Sequence, residues 1–102
     1  MGDALINDVL PDNETAAKMA RLAYALSDPR RIQILAILRQ TDSICACEFQ
    51  SKLGLSQSKA SYHLKILVDS GVIDREVRGT WSHYSIVDRE RLNDLWNSLG
   101  RV

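Results

Sequence analysis

The chain has 102 residues, 45% hydrophobic and 25% charged, and its 13 basic and 13 acidic residues give a formal net charge of zero. That fits one domain with one modest core. The balance of charge argues against a bulk electrostatic nucleic-acid binder, and the shortness of every apolar run excludes a membrane-spanning helix.

Residues 1–12 read as a loose arm, acidic and interrupted by Pro11. They form neither a signal nor a transit peptide, so the cytoplasm is the expected location. Residues 13–102 are expected to form the single domain. A helix is predicted over "NETAAKMARLAYAL", with Asn13 as N-cap and Ala16, Met19, Ala20, Ala23 and Leu26 at helical spacing. "SDPRRIQILAILRQ" starts a second, with Asp28 as cap and Pro29 in the first helical position. Ile32, Ile34, Leu35, Ile37 and Leu38 cover most of its circumference, which predicts a buried helix.

"CACEFQSKLGLSQSKASYHLKILVDSG" reads as two helices joined by a short turn. The first runs to Leu53 and stops at Gly54. Ser56 caps the second, which ends where Gly71 takes the left-handed position. The hydrophobic period then falls to two: "VIDREV" and "WSHYSI" flank "RGT" as a β-hairpin. "VDRERLNDLWNSLG" closes the chain as a helix capped by Asp88. The predicted fold is mainly α with one small hairpin, in the order α-α-α-α-β-β-α: a winged helix-turn-helix.

That order directs attention to residues 56–70. Ala60, Leu64, Leu67 and Val68 fall on one side of the helical wheel and are expected in the core. Ser58, Lys59, Tyr62 and Lys65 fall opposite, flanked by Gln57, Ser61 and His63, with no carboxylate before Asp69. A polar, basic first turn suits a helix that enters the major groove of double-stranded DNA, where lysines and serines meet phosphates and Gln57 reaches base edges. Arg78 and Thr80 at the hairpin tip are placed against the DNA backbone or minor groove. His63 and His83 are read as DNA-proximal or exposed rather than as metal ligands. Trp81 and Trp96 are read as packing residues. A single module of this size binds specifically as a dimer. Met19, Leu22, Leu26, Leu92, Leu95 and Trp96 are the candidates for the two-fold interface. No acid–base pair, activated nucleophile or phosphate loop marks an enzyme.

Cys45 and Cys47 are the only cysteines. A disulfide between them is disfavoured, because the expected compartment is reducing and the ring would be strained. Three readings stay open: two small buried hydrophobes, a redox-sensitive pair, or a chelating pair.

With "LSDPRRIQILAIL", the cysteine segment and "LGLSQSKASYHLKILVDSGVIDREVRGTWSHYSI" in view, the sequence resembles the ArsR/SmtB family of metal-responsive repressors over about residues 18–87. The resemblance implies a homodimer that holds a two-fold symmetric operator and releases it when an inducer binds. Cys45 and Cys47 match the positions where the arsenic and cadmium/lead branches carry thiolates. A third cysteine of some arsenic-responsive members is replaced here by Gln50, the arm lacks the cysteines of the cadmium/lead branch, and the last helix lacks the histidines of the zinc and nickel type.

Soft thiolates select soft acceptors. Trivalent arsenic or antimony, including an organoarsenical, is the expected inducer, with cadmium, lead or mercury as the alternative. A thiol protein that buffers metal without touching DNA is the reading from another class. Residues i and i+2 of a regular helix project about 200° apart. Chelation is therefore expected to unwind the first turn of the cysteine helix, whose N-terminus should also lower the thiol pKa.

Overall fold

The computed structural model describes residues 9–101. The arm expected over residues 1–12 lies mostly outside them. Five helices and three strands follow: α1 Asn13–Ala25, α2 Pro29–Leu38, β1 Ile44–Cys45, α3 Ala46–Leu53, α4 Gln57–Asp69, β2 Ile73–Arg78, β3 Trp81–Ile86 and α5 Arg89–Leu99. This is a winged helix-turn-helix, as the hydrophobic periods predict. No helix among the described residues is long and apolar enough to cross a membrane.

Local chemistry explains most boundaries. Asp28 caps α2 by accepting from the Arg30 N–H at 2.7 Å, with Pro29 just inside. The first helix differs from expectation by one residue. Asp12, not Asn13, is its cap, because the Asp12 carboxylate accepts from the Thr15 N–H at 2.7 Å. A full negative charge also suits the helix N-terminus better than an amide does. Gly54 ends α3 in the left-handed region at φ 64°, where a β-carbon would be strained. Gly79 at φ 63° opens the two-residue hairpin turn, while no residue other than glycine takes positive φ among those described. That is the pattern of a type II′ turn.

Ser56 caps α4 by accepting from the Lys59 N–H at 3.2 Å. Ser56→Ala is expected to cost about 1 kcal/mol. Urea unfolding at fixed protein concentration reads that loss directly, and Ser56→Asp should restore most of it.

The core lies between α2, α4 and the inner face of the sheet. Ile34, Leu35, Leu38, Phe49, Leu64, Leu67 and Ile73 are fully buried there. Phe49 meets Tyr84 edge to face, with ring centroids 6.4 Å apart, and so links α3 to the wing strand. Arg89, the first residue of α5, donates to the carbonyls of Leu38, Arg39 and Thr41. It thereby ties the end of α2 and the turn after it to the start of α5.

The sheet holds one element that the hydrophobic pattern does not announce. β1 pairs antiparallel with β3, so the strand order is β1-β3-β2. Ile44 stands opposite Tyr84 and Cys45 opposite His83. The cysteine segment is therefore part of the wing's own sheet.

Candidate DNA-binding face and thiol site

The exposed side of α4 carries Gln57, Ser58, Lys59, Ser61, Tyr62 and Lys65, as the wheel predicts. Lys65 is tied to Asp69 at 3.1 Å, whereas Lys59 has no ion-pair partner among the described residues. Lys59 is the freer cation of the two. Arg78 and Thr80 are exposed at the wing, and Arg78 lies 3.2 Å from Glu76. A polar basin of about 480 Å³ at the start of α4 is lined by Arg30, Ser56, Lys59, Tyr62 and His63. Arg30 escapes the sequence reading because it sits on α2. Its guanidinium reaches the Leu53 carbonyl at 3.2 Å, which brings it beside the turn.

His63 does not belong to this face. It is 9% exposed and its Nδ1 accepts from the Arg31 guanidinium at 3.0 Å. The wheel holds the reason: His63 is four residues before Leu67 and three after Ala60, so it shares their inward stripe. Burial pushes its imidazole pKa down, and the charge of Arg31 adds to that, though Asp28 pulls the other way. Arg31 is itself 3% exposed. It donates to the carbonyls of Ala25 at 2.9 Å and Tyr24 at 3.1 Å, with its guanidinium over the Tyr24 ring. The Tyr24 and Tyr62 hydroxyls lie 3.5 Å apart, so this network joins the end of α1 to α4.

The two tryptophans separate. Trp96 is half-buried beneath the Arg39 guanidinium, 4.5 Å from the ring centre. Trp81 is 59% exposed at the wing, so its expected packing role fails: it stands at the hairpin end, where no core element faces it.

Five of the six interface candidates lie on α1 and α5, and Leu26 is the C-cap of α1. Leu26, Leu92, Leu95 and Trp96 line an apolar groove of about 270 Å³, and Met19 and Leu22 line a second hollow beside it. Met19 is 63% exposed, and Leu22, Leu26, Leu95 and Trp96 are half-buried. Leu92 is 4% exposed and packs chiefly into its own core.

The cysteines stand at the junction of β1 and α3, and both are free thiols. Cys45 is extended, at φ −70° and ψ 143°, and caps the helix. Only Cys47 is helical. The pair straddles a strand–helix corner, so the sulfurs converge, 2.7 Å apart, where a continuous helix would have driven them apart. Chelation therefore does not require the first turn of α3 to unwind, since Cys45 already stands outside the helix. Two sulfurs on one tetrahedral ion with bonds of about 2.3 Å stand roughly 3.8 Å apart, so a modest side-chain rotation opens the pair enough. The expected lowering of thiol pKa fails for Cys47 too. Its thiol donates to Cys45 and is held above the usual value by that bond, then by burial and by the neighbouring Cys45 and Glu48 charges.

Comparison with known proteins agrees with this geometry. Residues 28–75 match the model of the bacterial regulatory proteins of the arsR family. An arsenical resistance operon repressor of Bacillus subtilis is 40% identical over 78 residues, 76% of this chain and 74% of that protein. An HTH-type transcriptional regulator of Methanocaldococcus jannaschii is 37% identical over 82 residues, 80% of this chain and 91% of that protein. Among solved structures, the homodimeric winged helix-turn-helix DNA-binding domain of a possible ArsR-family regulator from Mycobacterium bovis superposes with a TM-score of 0.75. It is 26% identical, with 91% of this chain and 90% of that one covered. The family consists of DNA-binding transcriptional regulators, which sets aside both an enzyme and a thiol buffer without a DNA role. By sequence and by fold, the chain belongs to the arsR family.

Proposed function

We propose that the protein is a cytoplasmic, homodimeric repressor that holds a palindromic operator and releases it when trivalent arsenic or antimony binds Cys45 and Cys47. The observation that carries this reading is the convergence of two free sulfurs, 2.7 Å apart, on a strand hydrogen-bonded to the wing. Soft thiolates at that spacing suit a thiophilic ion, and the Bacillus subtilis relative is an arsenical resistance operon repressor. When the ion binds, both thiols lose their protons. The displacement passes into β3 through the Cys45–His83 and Ile44–Tyr84 pairings, and into α3 through the Phe49–Tyr84 contact.

Dimerisation follows from the apolar faces of α1 and α5, where Met19, Leu22, Leu26, Leu95 and Trp96 find too little cover in one chain. Leu92 supports that face from beneath. The homodimeric Mycobacterium bovis domain supports the same assembly. Two α4 helices then enter successive major grooves on one side of the duplex. Gln57, Ser58, Lys59, Ser61, Tyr62 and Lys65 face DNA, Arg30 adds a phosphate contact, and Arg78 and Thr80 follow the backbone. The test is fluorescence anisotropy on a duplex selected from a palindromic pool, titrated with arsenite. Binding as a dimer with release at stoichiometric arsenite supports the proposal; binding indifferent to arsenite overturns it.

The same assay weighs individual contacts. Lys59→Ala and Arg78→Ala should each weaken operator binding and flatten the log–log salt dependence by about one unit per phosphate contact in each protomer. Lys59 is expected to matter more, because Glu76 already engages Arg78 in the free protein. A salt slope equal to the wild type would remove the residue from the interface.

A further inference from the structure

An ion and an oxidant move the cysteine corner in opposite directions. The sulfurs of Cys45 and Cys47 stand 2.7 Å apart, and both are free thiols. An ion held between them spreads them, to roughly 3.8 Å at tetrahedral geometry. A covalent sulfur–sulfur bond draws them in, to about 2.05 Å. The corner starts nearer the second arrangement than the first. Cys47 is exposed and Cys45 half-buried, so a small oxidant reaches the pair from solvent. Cys45 accepts from both the N–H and the thiol of Cys47, which places Cys45 to attack and Cys47 to follow.

We propose that Cys45 and Cys47 are an oxidation site: hydrogen peroxide joins them as a disulfide within one protomer, and the oxidised repressor keeps its operator but no longer takes arsenic. The lost arsenic response rests on the sensor reading above; the oxidation and the retained operator go beyond it. The Cys45 thiol gives its proton to solvent, and its sulfur attacks one peroxide oxygen. The O–O bond breaks, the leaving hydroxide takes up a proton as water, and Cys45 becomes a sulfenic acid. The Cys47 sulfur then attacks the Cys45 sulfur. The S–O bond breaks, and the hydroxide leaves with the Cys47 proton as a second water. Two thiols have lost two electrons and two protons, and one peroxide has become two waters.

Retention of the operator follows from where the movement falls. The sulfurs close on each other at a corner whose backbone is held on both sides. Ile44 and Cys45 pair with Tyr84 and His83 of β3, and the buried Phe49 fixes α3 against Tyr84. Neither cysteine lies on α4. An ion wedges the corner open against these anchors, whereas a disulfide does not. With the sulfurs bonded to each other, no thiolate remains for a soft acceptor. The ring across Ala46 is strained, and strained, exposed disulfides are the labile, regulatory kind. A reductant therefore restores the sensing pair.

The experiment treats reduced full-length protein with hydrogen peroxide and removes the excess with catalase. Intact mass spectrometry should show the loss of two hydrogens per protomer, with no free thiol left and no covalent dimer on a non-reducing gel. Cys45→Ser and Cys47→Ser should form no bond within a protomer. Operator affinity by anisotropy should stay within about twofold of the reduced protein. Arsenite should release the reduced protein and leave the oxidised one bound until a phosphine is added. Thiols that persist, or sulfinic acid in place of the disulfide, overturn the oxidation site and leave the sensor reading standing. So does oxidised protein that leaves the operator or still responds to arsenite. Arsenite that fails to release even the reduced protein overturns the sensor reading, while the mass, the thiol count and the operator affinity still decide the oxidation site.

Discussion

Replacing Cys45 or Cys47 with serine is expected to leave operator affinity within about twofold of wild type and to abolish release by arsenite. The structure makes this a clean separation. Cys47 is exposed and Cys45 half-buried, and neither lies on the outward side of α4. Cys45 serves as N-cap, accepting from the Cys47 N–H at 3.4 Å, and serine is a stronger cap than cysteine. The variants therefore keep the local fold and lose only the soft donor. Anisotropy with and without arsenite reads both properties in one titration. Normal release from both single variants would remove the pair from sensing.

The second large effect concerns Arg31. Arg31→Ala should destabilise the protein by on the order of 3 kcal/mol, because the side chain is buried and serves two backbone carbonyls and His63 at once. For a chain of this size that is a fall in Tm on the order of 10–20 °C. Arg31→Met, which keeps the volume but not the donors, should recover only part. Melting must be compared at one protomer concentration, since a dimer's Tm depends on it. The network also carries a pH signature. The folded pKa of His63 is depressed, so the native state prefers neutral imidazole and the unfolded chain binds the proton first. Stability is then complete above the ordinary histidine value near 6.5 and declines as pH falls below it. His63→Gln should flatten that decline. A stability profile between pH 7.5 and 5 that is unchanged in the variant would contradict this account.

Much of the architecture was legible because it rests on local rules. Gly54, Ser56 and Gly71 mark the limits of α3 and α4 by capping chemistry alone, and the change of period after Gly71 announces the hairpin. What escaped depends on distant parts of the chain. β1 has two residues, too few to show a period, and exists only because β3 pairs with it. That pairing holds Cys45 extended, and the extended cap brings the sulfurs together. A helix-only view of the Cys-x-Cys spacing thus reached the wrong geometry from a correct residue assignment. Arg31 escaped for a similar reason: nothing in "DPRRIQ" tells the buried arginine from the exposed one beside it. His63 was legible in principle from its spacing to Leu67, but its polarity placed it with the outward residues.

The identity of the ligands is the centre of the account, and arsenic-edge X-ray absorption addresses it most directly. The protein is loaded with arsenite under a phosphine reductant, so that no external thiol competes, and then freed of excess. Two sulfur neighbours per arsenic in wild type, falling to one or to no bound arsenic in Cys45→Ser and Cys47→Ser, is the predicted result. Arsenic bound without sulfur neighbours, or a coordination shell unchanged by either substitution, would contradict it.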